Sequence, residues 1–172
     1  MKLNFSGLKI GISSLLLLIV SLFVSGCSDA NAEIVGIKNF SFSYSVGCYA
    51  NGNYSYSVIK TKDGKFIASY KGDGVPEQKA SKFPVDETFL IDLEKTLKEN
   101  NILKWNGFHK SDSNVLDGNG FSFYVRFNDG KSYNASGYES YPKGYREGKN
   151  AIENFFQKTM KEKKIKPAKP EY

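Results

Sequence analysis

The chain is 172 residues long, with 24 Lys or Arg against 18 Asp or Glu, and 15% of it is aromatic. That length suits one domain with a sizeable core, while two cysteines and a single histidine leave little material for a Cys–His nucleophile pair. The charge is unevenly placed: residues 28–157 hold 16 cationic and 16 anionic side chains, whereas residues 158–172 (KTMKEKKIKPAKPEY) hold six Lys and two Glu.

Lys2 and Lys9 precede an almost unbroken apolar run from Ile10 to Val24, the charged-then-apolar order of an export signal. The run is shorter than the roughly 20 apolar residues of a membrane span, and Ser13, Ser14 and Ser21 interrupt it. It ends in Val24-Ser25-Gly26-Cys27. An aliphatic residue, two small residues and a cysteine in this order resemble the lipobox of bacterial lipoproteins. The resemblance implies a signal peptide over residues 1–26 and a mature chain that starts at a diacylglyceryl-modified Cys27. It also implies attachment to the extracytoplasmic face of the cell membrane. If Cys27 is lipidated, Cys48 stands alone and reads as a small apolar residue. If it is not, a Cys27–Cys48 bridge would close a loop of about 22 residues and stabilise by about 3 kcal/mol. Residues 27–33 are small and polar, a short tether to a domain spanning 34–160.

In IKNFSFSYSV, Phe40, Phe42, Tyr44 and Val46 alternate with Asn39 and serines, which predicts a half-buried strand. Tyr54, Tyr56 and Val58 repeat the pattern, and Asp63-Gly64 predicts a tight hairpin into FIASYK. GDGVPEQKASKF reads as a loop. A helix follows, capped by Asp86, with Phe89, Leu90, Leu93 and Leu97 on one side and a stop at Asn100-Asn101. The stretch ILKWNGFHKSDSNVLDGNG is irregular. Phe121, Phe123, Val125 and Phe127 then alternate before a second hairpin at Asp129-Gly130, and Pro142 introduces a second helix with Ile152, Phe155, Phe156 and Met160 on its apolar side. The order predicts an α+β fold: an antiparallel sheet of about five strands, with two helices packed on one face. Leu93, Leu97, Ile152 and Phe156 should cover Phe121, Phe123, Val125 and Phe127. Residues 161–172 form a Lys-rich tail, read as a frayed helix end that could also touch anionic headgroups at up to about 1 kcal/mol per Lys.

Residues 104–145 carry an aromatic-Gly-aromatic turn, a VLDG loop, a DG hairpin and a Gly-aromatic-Pro segment in this order. The pattern resembles the C-terminal half of small exported lipoproteins of low-GC bacteria. This implies a shared fold and an extracytoplasmic setting, and it brings no catalytic residue. Asp112, Asn114, Asp117 and Asn119 offer oxygen atoms, but their spacing departs from a calcium loop and lacks its closing Glu, so Asp117-Gly118 reads as a turn and no metal or cofactor is expected. His109 reads as a surface residue, and no catalytic residue is assigned.

Trp105, Phe108, Tyr138 and Tyr141 flank the second hairpin in Gly- and Ser-rich segments. Aromatics so placed either plug the ends of a sheet or form a platform for a partner. The functional expectation is a lipid-anchored binding module for a cell-wall or extracytoplasmic protein partner. A small cell-envelope hydrolase is the alternative. Nucleic acid is a poor partner for an exported chain.

Overall fold

A computed structural model describes residues 35–47 and 52–170. The expectations for the signal segment, Cys27, the tether and Cys48 lie outside these residues. The chain forms one mostly antiparallel seven-stranded sheet with two helices, an α+β fold. The strands are β1 (Ile37–Ser45), β2 (Tyr54–Lys60), β3 (Phe66–Lys71), β4 (Ser81–Val85), β5 (His109–Ser111), β6 (Gly120–Phe127) and β7 (Ser132–Tyr138). The helices are α1 (Glu87–Glu99) and α2 (Tyr145–Glu162). In space the strands run β4-β3-β2-β1-β6-β7-β5, and only the β5–β7 pair is parallel.

Alternation places Phe40 and Phe42 of β1, Tyr56 and Val58 of β2, and Phe121, Phe123, Val125 and Phe127 of β6 on one buried face. Ile37 breaks the parity yet is fully buried, because the register between β1 and β6 shifts between Ile37 and Asn39 and the bulge turns its side chain inward. Leu93, Leu97, Ile152 and Phe156 join the same core, as expected. Phe156 is its centre, stacked on Tyr56 at 4.6 Å and Phe40 at 5.7 Å and meeting Phe89 edge-on.

Local chemistry sets the ends of the elements. Asp86 accepts a hydrogen bond from the Phe89 amide at 3.0 Å, which caps α1, and Asn101 in the left-handed region (φ 55°) ends the turn that follows. Both DG hairpins are built alike: Thr61 N–H donates to Lys65 O at 2.8 Å and Phe127 N–H to Lys131 O at 2.9 Å, with Gly64 and Gly130 taking positive φ. In each turn the aspartate keeps ordinary negative φ, so glycine alone supplies the left-handed angle.

Two strands exceed the five expected. β4 lies in the stretch read as loop; as an edge strand it buries only Phe83 and tolerates Pro84, whose missing N–H would break a central strand. β5 has three exposed residues, too few for alternation to be legible. The second helix begins at Tyr145 rather than at Pro142, with Gly144 (φ 75°) as its cap.

The Lys-rich tail also differs from a frayed end. Ile165 N–H returns to Met160 O at 2.8 Å, Ser81 Oγ donates to Lys166 O at 3.1 Å, and the Ala168 amide donates to Ser81 Oγ at 2.9 Å. The tail backbone is therefore fastened to the start of β4 while its lysines stay exposed.

At the other extremity, Glu94 of α1 is fully buried. Its carboxylate accepts from the amides of Val35 (3.1 Å) and Gly36 (2.8 Å) and pairs with Lys98 at 2.7 Å.

Candidate functional site

The end of the sheet holding the C-terminus of β1 and the N-terminus of β6 gathers most of the aromatic residues singled out above. Trp105 lies on a 3-10 turn (Ile102–Trp105) and is 1% exposed, so it is a core residue and offers no platform. Its indole meets Phe121 at 6.0 Å, Phe123 at 5.6 Å and Tyr145 at 5.4 Å. α2 approaches it closely through Gly148, where a Cβ would sit 2.5 Å from the ring. Phe108 is half-buried and stacks on Phe121 at 6.3 Å. Tyr141, 37% exposed, stacks on Tyr145 at 4.6 Å and on Phe121 at 6.0 Å, and its hydroxyl donates to Asn119 O at 3.3 Å.

Three of the four expected residues thus converge on Phe121. Tyr138 does not. Its hydroxyl accepts from the Gly118 amide at 2.6 Å and braces the loop after β5.

That loop, residues 112–119, is fixed from several sides. Asp112 N–H donates to Tyr138 O at 2.9 Å, the Asp112 carboxylate accepts from the Asn114 amide at 3.0 Å, and Glu139 exchanges hydrogen bonds with the backbone of Asn119. Asp112 therefore serves a turn, and no group of three His, Cys, Asp or Glu side chains suited to a metal occurs among the described residues. Leu116 stands at the loop's tip, 98% exposed.

Sequence reasoning missed a polar–aromatic group beside Tyr141. Lys149 of α2 places its ammonium 4.7 Å from the Tyr44 ring centre and 5.7 Å from that of Tyr54, and pairs with Glu153 at 2.9 Å. Tyr54 donates its hydroxyl to the same Glu153 carboxylate. The Lys149–Glu153 spacing was readable as a helical pair. What the pair faces was not, since Tyr44 and Tyr54 lie far away along the chain.

Burial of these phenols, followed by the Glu153 carboxylate, holds Tyr54 well above the usual tyrosine range; burial, followed by Tyr141, Tyr44 and Glu153, does the same for Tyr145. Burial pushes Tyr56 up to about 12. Such phenols stay neutral in the folded chain at a pH where an unfolded chain ionises them. The stability they confer is intact below about pH 10, the unfolded value, and is lost as pH rises toward about 12. Phenolate absorbance should accordingly rise in two stages, the second coinciding with loss of helical circular dichroism. Complete ionisation near pH 10 with the fold retained would contradict this.

His109 Nδ1 lies 2.9 Å from Ser136 Oγ on the sheet face away from the helices, where both belong to a flat surface. No helix among the described residues is long and apolar enough to cross a membrane. No protein-family model matches the chain, and no curated protein matches it in sequence.

Proposed function

We propose that the protein is a lipid-anchored component of the cell envelope that binds an extracytoplasmic partner through the rim formed by Tyr141 and the 112–119 loop. The observation that carries this reading is the exposure of Leu116 (98%) and Tyr141 (37%) on segments braced to each other through Asn119. Loose loops bury or scatter their apolar side chains; apolar groups held out on a fixed backbone cost little entropy on binding. The chain enters β1 at the end remote from this rim. Nine residues of β1 at about 3.3 Å each separate the two by roughly 30 Å. An anchor attached before Val35 would therefore leave the rim directed away from its point of attachment.

The lipobox resemblance supplies the anchor. Two acyl chains hold a protein stably in a bilayer where one gives only marginal binding. The full chain should remain in the membrane fraction through high-salt washing, and Cys27→Ala should release or mis-process it; unchanged mature mass and partitioning in that variant would remove the anchoring half of the proposal. For the binding half, Trp105 reports on the rim because it touches Phe121 and Tyr145, both stacked on Tyr141. Titration with peptidoglycan fragments and with purified envelope proteins should give a saturable emission change. It should be lost in Leu116→Ser and Tyr141→Ala while thermal unfolding stays cooperative. A response that survives both substitutions would place the contact elsewhere.

A further inference from the structure

We propose that the open face of the sheet, opposite the helices, binds a linear anionic glycan whose units carry both hydroxyl and carboxylate or phosphate groups. This surface is distinct from the rim, and the proposal stands without the rim's partner.

The first observation is an aligned row of hydroxyls. Ser55 pairs with Ser43, Ser43 with Ser122, and Ser122 with Ser136, so that four neighbouring strands present serine at the same level. Lys71 stands beside Ser55 at one end of the row and His109 beside Ser136 at the other. At about 4.8 Å between strands, the row from Lys71 to His109 is about 24 Å long. A second row beside it runs from Lys82 through Ser69 and Ser57 to Ser41. Ser43 Oγ donates to Ser122 Oγ at 3.3 Å, and Ser57 Oγ lies 2.7 Å from Ser69 Oγ, so hydroxyls are already oriented across strands. Serine projects little beyond the backbone, so an extended chain can lie along the row without displacing long side chains. A hydroxyl both donates and accepts, which suits sugar hydroxyls and anionic oxygens alike.

The second observation is charge. None of the seven described strands contains Asp or Glu; their charged residues are Lys38, Lys60, Lys71, Lys82, Lys110 and Arg126. The carboxylates are confined to helices, turns and loops. Lys71, Lys82 and Arg126 share the open face with the serines, as their pairing with Ser55, Ser69 and Ser132 places them. Glu77 of the turn before β4 pairs with Lys71 at 2.9 Å, so the excess positive charge on this face rests with Lys82 and Arg126. A flat hydroxyl surface with cations and no strand carboxylate complements a polymer that is hydroxylated and negative along its length.

The test uses the full chain in neutral detergent, with polygalacturonate as the linear anionic glycan, dextran as its neutral counterpart and polyglutamate as an anion without hydroxyls. Saturable binding of polygalacturonate, weakening with salt, is expected, with dextran and polyglutamate bound at least about tenfold more weakly. Ser122→Glu puts a carboxylate at the exposed middle of the row and should weaken binding at least about tenfold; Arg126→Ser, which adds no charge, should weaken it about threefold. The paired tail substitutions Lys163→Glu and Lys166→Glu, and separately Leu116→Ser, should leave it unchanged. Equal binding of polyglutamate, loss of binding in the tail variant with retention in Ser122→Glu, or no glycan binding by the folded wild-type chain would each overturn the proposal. Loss in Leu116→Ser alone would move the site to the rim, overturning this proposal and leaving the rim reading in place.

Discussion

Phe123→Ala is expected to lower the unfolding free energy by about 3–5 kcal/mol and the melting temperature by about 10 °C or more. Phe123 sits on a central strand, paired on one side with Phe42 and on the other with Ala135, and is 1% exposed. Its ring meets Trp105 edge-on at 5.6 Å and Phe40 at 6.3 Å. Hydrogen-bonded strands on both sides and α2 above leave few ways to close the space a phenyl ring vacates, so the loss combines the transfer term with a cavity. Against a total of about 5–15 kcal/mol for a domain, this removes a large part of the stability. Chemical denaturation checks it through a lower midpoint at unchanged slope. Wild-type stability in the variant would mean that the β6 face assigned to the core is wrong.

The readability of this fold follows the strength of each local signal. β6 was legible because Phe121, Phe123, Val125 and Phe127 repeat every second residue between glycine and a DG turn. α1 was legible because Asp86 and the spacing of Phe89, Leu93 and Leu97 agree on the start and the buried side. β4 was hidden because a proline sits in a run with one buried residue, a pattern that only its edge position permits. Ile37 was hidden because a bulge changes the parity of the strand, and parity is all that a single sequence shows. At the candidate site the aromatic residues were visible but their exposure was not. Asn106 and Gly107 made Trp105 look like a loop residue, whereas the small Gly148, far along the chain, lets α2 close over the indole. The serine row was equally out of reach. Each strand shows only alternating polar positions; the alignment of Ser55, Ser43, Ser122 and Ser136 depends on the register of three pairings that no one segment contains.

Glu94→Ala should cost about 3 kcal/mol, and most of the local consequence should fall on residues distant in sequence. The Glu94 carboxylate is 0% exposed and is an acceptor for two consecutive amides, Val35 at 3.1 Å and Gly36 at 2.8 Å. Gly36 holds φ at 86°, and a Cβ there would lie 2.6 Å from the Asn128 amide nitrogen, so the backbone can present both N–H groups to the carboxylate only with glycine at this position. Removing the carboxylate leaves two donors without an acceptor where water has little access. Glu94→Gln keeps one carbonyl acceptor and the side-chain volume but turns an NH2 group toward a donor, so it should cost less than alanine and more than nothing. Thermal unfolding ranks the variants, and hydrogen exchange locates the effect: Val35 and Gly36 should lose protection in Glu94→Ala while the β6 amides keep theirs relative to global stability. Equal, small effects of both substitutions would show that the clip contributes little. If the anchor lies before Val35, as proposed, this carboxylate is where a flexible tether becomes a fixed strand. Its loss should lengthen the effective tether by the residues it releases, loosening the position of the rim without altering any residue of the rim itself.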